Sequence, residues 1–246
     1  VVEKLSGRFH ETDLQRALTR LEAELLGQWG DAFAKQQSLY REKLDAAWTG
    51  RCPSLPPEIA FGSLPDSTSE TKPSHDPIVF GNDGRDVRVR GRIDRVDVGL
   101  AAGQTVFTVI DYKTGRPPKS NEAELRTGRA IQLALYTMAI RRLGLAGPDA
   151  VPFQMGYWAL KETGFKRGYQ RETKSFDGLD ASVFEALEQT LETVIPKLAE
   201  GLRSGKFLVE NADRDCTGHC PYHTTCRVNQ LRPVADSLHK IGDILL

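Results

Sequence analysis

Apolar residues recur at helical spacing through Leu14, Leu18, Leu21, Leu25, Trp29 and Phe33. This predicts an amphipathic helix over roughly Thr12 to Trp48, capped by Thr12 or Asp13. A proline-rich break at Pro53 to Pro57 follows, then a short strand near Ile59 to Phe61 and a polar loop from Pro65 to Asp76. The period then changes from helical to two. Val87 to Val98 alternates apolar and charged residues, and Val106 to Ile110 is a β-branched and aromatic run. These read as the two strands of a hairpin within Ile78 to Asp111, with Gly99-Leu-Ala-Ala-Gly-Gln as its connection. A helix is expected from Glu122 to Leu143, carrying Gln132 and Tyr136 four apart on one face. Beyond it lie a strand from Phe153 to Leu160, a partner near Arg167 to Thr173 reached through Thr163-Gly164, and a long amphipathic helix from Ala181 to Ser204. Helix, antiparallel strands, helix, strand, helix is an α/β order built on a small mixed sheet.

The strand pattern delivers chemistry to one place. Asp111 and Lys113 are two apart and share a strand face, while Tyr112 points the other way, towards packing. Asp94, on the partner strand, can approach Asp111 across the hairpin. Two carboxylates that close repel unless a cation lies between them. Oxygen ligands for a hard divalent cation, with a lysine beside them, are what phosphodiester cleavage needs. Asp97 falls three after Asp94, on the opposite face, and is expected to pair with Arg95 or Arg92.

Three segments together resemble a known family. Gly91-Arg-Ile-Asp94, Asp111-Tyr-Lys113-Thr114 and Gln132-Leu-Ala-Leu-Tyr136 are similar to the motifs of the PD-(D/E)xK nuclease superfamily, in particular the RecB/AddB-type nuclease domains of bacterial recombination helicase–nucleases. Glu58-Ile-Ala-Phe-Gly62 resembles the segment preceding the first acidic strand in AddB-type domains. The resemblance implies a restriction-endonuclease-like α/β core, a small mixed β-sheet flanked by helices, followed by a C-terminal iron–sulfur loop. It also implies metal-dependent deoxyribonuclease activity with Mg²⁺ or Mn²⁺. Asp94, Asp111 and the Tyr112 carbonyl would hold the metal and Lys113 would act on the water. Gln132 and Tyr136 would contact DNA or orient the site, although Tyr136 also reads as a core residue. His10, in Gly7-Arg-Phe-His10, is the further metal ligand the family suggests; an exposed histidine near a helix start is the alternative. Glu58 is a second-tier position that binds metal, orients a ligand or caps a strand.

Cys216, Cys220 and Cys226 crowd into one short loop, in a chain with four cysteines. Their spacing fits a soft metal centre, and His219 and His223 keep zinc open on spacing alone. The family resemblance implies a [4Fe-4S] cluster instead, since Cys220 and Cys226 match its last interval, although the first interval is one residue longer than usual. The fourth ligand is either Cys52 or, preferred, a residue upstream of Val1.

Composition adds limits. The 246 residues carry 33 basic and 33 acidic side chains and are 39% hydrophobic. That fits one globular domain with extensions, and it requires any nucleic-acid contact to be a local basic track. Arg116, Lys119, Arg126 and Arg129 around the loop after Lys113 are the candidate track, with a solvated charged face as the competing reading. The expected divisions are a helical segment over 1–50, the nuclease core over 51–208 and the cysteine-rich segment and tail over 209–246. No run reaches the length of a membrane span and no secretory signal is visible. No Walker A loop is present, and the start at Val1 reads as a domain cut from a longer chain, so a helicase motor or partner subunit is expected elsewhere, in a bacterial cytoplasm. Two competing readings are a free-standing single-strand exonuclease and a non-catalytic DNA-binding domain bearing the cluster.

Overall fold

The structure, a computed structural model, describes residues 12–62, 75–81, 86–161, 164–169 and 176–205. His10, Cys216, Cys220 and Cys226 lie outside the described residues, as does most of the expected loop from Pro65 to Asp76.

Helix α1 spans Asp13–Ala47 and begins in a capping box between Thr12 and Gln15. Short strands β1 (Gly50–Arg51), β2 (Ile59–Phe61), β3 (Ile78–Phe80), β4 (Val87–Val89) and β5 (Gly91–Ile93) lead into the long strands β6 (Arg95–Ala101) and β7 (Gln104–Lys113). Helices α2 (Glu122–Arg126) and α3 (Ile131–Arg142) carry the chain over to β8 (Val151–Ala159), which is followed by β9 (Gly164–Arg167) and α4 (Ala181–Arg203). The main sheet has the order β1-β6-β7-β8-β9. Only β7 and β8 run parallel in it, as a helical crossover between them requires.

Both faces of this sheet are covered. On one, Phe107 and Val109 of β7 pack with Leu133, Met138 and Ile140 of α3 and Leu187, Leu191 and Ile195 of α4. On the other, Val106 and Ile110 of β7 meet Tyr40 and Leu44 of α1, together with Trp48. The alternation of one strand therefore assigns its even- and odd-numbered residues to different layers, with Asp111 on the α3 side. Only the second half of α1 takes part. Leu18, Leu21 and Leu25, at the expected spacing, are 48–57% exposed.

The strand expected near Arg167 to Thr173 is β9, Gly164–Arg167, with Gly164 opening the strand rather than turning the chain, and three further expectations change. The strand expected over Val87 to Val98 is three strands in three sheets: β4 pairs with β3, β5 with β2, and β6 with β1 and β7. Burial alternates through the first of these changes, from Val87 to Ile93, and stops alternating in β6, where Val96 to Gly99 are all buried. The hairpin turn is Ala102-Gly103, with φ of 49° and 78°, the left-handed pair of a tight two-residue connection. Gly99 lies instead within β6, where the Trp48 ring fills the space a Cβ would take. The helix expected over Glu122 to Leu143 is broken after Arg126. Gly128 sits at φ 76° and terminates α2 through its N–H on the Leu125 carbonyl at 2.9 Å, a glycine helix stop.

Candidate active site

Asp111 lies two residues before the end of β7 and is 2% exposed. Asp94 sits in the one-residue break between β5 and β6, just beyond the Arg95–Ile110 pairing. Its Oδ2 accepts the Tyr112 backbone N–H at 2.8 Å. The break therefore turns the Asp94 carboxylate onto the end of β7 rather than leaving it in a regular ladder. Lys113 follows on the Asp111 face and its ammonium contacts Asp111 Oδ2.

Gln132, one residue into α3, joins these groups. Its Nε2 donates to Asp111 Oδ1 at 2.6 Å, and its Oε1 accepts from Lys113 Nζ at 3.2 Å. Nε2 also lies 3.2 Å from the Tyr136 hydroxyl, which can accept from it. Gln132 thus fixes the carboxylate and the ammonium at once, and Tyr136 supports it. The Tyr136 ring meets Phe61 edge-on, with centroids 6.2 Å apart.

This packing gives a physical reason for the glycine that opens the Asp94 segment. A Cβ at Gly91 would lie 2.7 Å from the Phe61 ring and 3.1 Å from Tyr136, too close for any larger residue. Gly91, Phe61, Tyr136 and Gln132 form one chain of contacts ending at Asp111. The segments singled out in the sequence are thereby parts of a single site.

Electrostatics set Asp111 apart. Burial pushes its carboxyl above the ordinary carboxylate range; Lys113 opposes this, and the negative charge of Asp94 adds to it. A buried acid facing a second acid is a place where a bound cation would relieve both costs. The donor chemistry fits: carboxylate oxygens suit a hard divalent ion. Among the described residues no three His, Cys, Asp or Glu side chains form a metal cluster.

Tyr157 has no signal in the sequence beyond an apolar strand. It pairs in register with Asp111 across β7 and β8. Lys113 Nζ lies 5.2 Å from its ring centroid, within cation–π range. Burial, more than any other influence, pushes its phenol up to about 12, so it stays neutral beneath the lysine.

On the opposite face, Arg95 makes a two-pronged pair with Asp97, both nitrogens at 2.8 Å. This is the structural partnership expected for Asp97. Arg95 also donates to Gln37 of α1 at 2.7 Å and to the Tyr112 hydroxyl at 3.2 Å. Tyr112 does point to the packing side, against Phe33 and Trp158.

The expected phosphate track divides. Arg126 is paired with Glu122 at 2.5 Å and Arg129 with Glu124 at 3.5 Å. Arg116 and Lys119 are exposed on the loop after β7. Glu58 is exposed, with φ 59°, and lies 4.0 Å from Arg92; its N–H bonds the Asp94 carbonyl at 3.1 Å. Cys52 is half-buried against the main core.

A two-acid, one-lysine cluster at the open end of a mixed sheet defines a class. The family description of the PD-(D/E)XK nuclease superfamily matches residues 2–227, and the chain belongs to that superfamily. Its mixed sheet flanked by helices is the restriction-endonuclease-like core. Relatives are more specific. The chain is 40% identical over 111 residues to an ATP-dependent helicase/deoxyribonuclease subunit of Natranaerobius thermophilus, covering 42% of this chain and 8% of that one. Subunits of the same name from Clostridium acetobutylicum (41% over 68 residues, 27% and 6% covered) and Lacticaseibacillus casei (33% over 109 residues, 44% and 9% covered) are also similar. The matched segments span less than a tenth of those relatives. Among the described residues, no helix is long and apolar enough to cross a membrane.

Proposed function

We propose that this chain is the nuclease domain of a helicase–deoxyribonuclease subunit, a Mg²⁺- or Mn²⁺-dependent exonuclease that hydrolyses DNA phosphodiester bonds in a bacterial cytoplasm. The observation that carries the reading is the convergence of Asp94, Asp111 and Lys113, with Gln132 bonded to both Asp111 and Lys113. The names of the similar proteins support DNA as substrate and a helicase as partner.

Asp94, Asp111 and the Tyr112 carbonyl would hold the divalent ion. Bound there, such an ion polarises the phosphate and makes water more acidic. Gln132 orients the Asp111 carboxylate and keeps the Lys113 ammonium from collapsing away from it. The Lys113 side chain is 30% exposed against 3% for the Asp111 side chain, so the lysine faces the solvent side of the pair. From there it can hold the attacking water and offset the charge that develops on the phosphate. Tyr157 supplies the neutral surface on which that ammonium rests. His10 stays with this proposal as a further metal ligand. The thiolates of Cys216, Cys220 and Cys226 provide the soft donor set of a [4Fe-4S] cluster, to which we assign a structural role at the C-terminal end.

Metal binding offers a test independent of turnover. Mn²⁺ binding followed by electron paramagnetic resonance should be measurable for the wild-type chain and at least tenfold weaker for Asp94→Asn. Equal binding by the two would remove Asp94 from the site.

A further inference from the structure

We propose that Arg88, Arg90 and Arg92 form a phosphate track that leads the backbone of a single DNA strand to Asp94. The inference rests on the nuclease reading above and names the surface that would deliver its substrate.

Burial alternates without interruption from Val87 to Ile93 although the chain changes ladder at Arg90: the odd-numbered residues are half-buried or buried, and Arg88, Arg90 and Arg92 are all exposed. Asp94 follows directly after Ile93, half-buried in the break before β6. Three guanidinium groups thus share one side of a ribbon that ends at a carboxylate of the site. Alternate residues along a strand are roughly 6.6 Å apart, a repeat comparable to that of successive phosphates in an extended single strand. Arginine suits this task, because its planar fork binds phosphate through two parallel hydrogen bonds.

Available charge distinguishes this row from the basic residues of α2 and the turn after it. Arg126 and Arg129 are already paired with Glu122 and Glu124. Among the described residues, the row makes one ion pair, Arg92 with Glu58, at 4.0 Å and with both side chains more than half exposed. Such a pair is worth little and is easily exchanged for a phosphate. A cation on β4 would also discourage edge-to-edge pairing, but that role does not call for arginine at three successive outward positions. The chain has no net charge, so attraction for a polyanion must come from a local feature of this kind.

The test uses the full chain in EDTA, with a fluorescein-labelled oligothymidylate as probe and anisotropy read across a salt series. Neutralising three phosphate contacts on a single strand should account for a slope of about 2 in log affinity against log salt. The variant Arg88→Gln/Arg90→Gln/Arg92→Gln should lose about that much slope and bind at least tenfold more weakly at low salt. The matching Arg→Lys triple should recover most of the slope and part of the affinity. A charge-matched control on α1, Arg16→Gln/Arg20→Gln/Lys43→Gln, should bind like wild type. Melting curves establish that each variant is folded. Wild-type slope and affinity in the folded glutamine triple would overturn the proposal, as would equal loss in the α1 control or no binding by wild type at low salt. Cleavage in Mg²⁺ is scored separately. Weakened binding by the triple, with no cleavage by wild type, would support the track and count against the nuclease reading alone. A duplex probe affected as strongly as the single strand would overturn the choice of single-stranded DNA.

Discussion

Asp111→Asn is expected to reduce Mg²⁺-dependent DNA cleavage by about a thousandfold, a loss of about 4 kcal/mol of barrier lowering. The same substitution should raise the melting temperature of the metal-free protein. Burial and the charge of Asp94 favour the neutral form of Asp111, Lys113 favours the charged form, and the first two prevail. The folded-state pKa therefore lies above the unfolded one. Ionised Asp111 then disfavours the fold at neutral pH. As pH falls through the raised folded value, the wild-type protein takes up a proton in the folded state and gains stability. That gain is complete below the ordinary aspartate range. Asparagine is neutral throughout and keeps the acceptor that Gln132 needs. The stability advantage of the variant in EDTA should thus be largest at neutral pH and shrink on acidification. Mg²⁺ should raise the melting temperature of wild type and not of the variant. Calorimetric melting over a pH series, with and without Mg²⁺, checks both signs; a variant less stable than wild type at neutral pH in EDTA contradicts this account.

The largest loss of stability should come from the other face of the sheet. Arg95→Met removes the partner of Asp97, which is 4% exposed, and leaves a buried carboxylate without its cation. Breaking such a pair from one side costs about 3–5 kcal/mol. Burial opposes the Arg95 charge, but the hydrogen bonds and charge of Asp97 more than offset it, and the guanidinium is held above its ordinary pKa. It also lies 5.6 Å and 5.5 Å from the ring centroids of Tyr40 and Trp158, so methionine loses a cation–π partner as well as a charge. The double variant Arg95→Met/Asp97→Leu should recover most of the loss, because an apolar pair of similar volume carries no desolvation cost. Urea unfolding of the two variants measures this. A single variant within about 1 kcal/mol of wild type would show that Asp97 is better solvated than its burial implies.

The site was legible in the sequence to the extent that strand alternation is local. Asp111 and Lys113 share a face because they are two apart, and Tyr112 faces α1 for the same reason. Gln132 and Tyr136 meet because they are four apart on α3. Contacts between distant segments were not legible from spacing. Nothing local shows that Phe61 and Tyr136 occupy the space above Gly91, or that Trp48 occupies the space above Gly99. Tyr157 reads as one more residue of an apolar strand until the β7–β8 register places it beside Asp111. The breaks in the fold follow the same division. Gly128 is a glycine at a helix stop, yet the apolar period on either side favours one continuous helix. The change of ladder at Arg90 leaves no mark on the alternation at all. Similarly, Arg126 and Arg129 read as available cations until their pairing with Glu122 and Glu124 is seen.

Under the proposed function, Asp94, Asp111 and Lys113 form a metal-dependent nuclease centre. Cleavage of end-labelled linear single- and double-stranded DNA by the full chain, in Mg²⁺ and in EDTA, with wild type beside Lys113→Ala, tests it most directly. The expected result is cleavage by wild type in Mg²⁺ alone, reduced at least a hundredfold in the folded lysine variant, about 3 kcal/mol of barrier. Cleavage that persists in EDTA, cleavage by Lys113→Ala at the wild-type rate, or an inert wild-type chain in Mg²⁺ would contradict it.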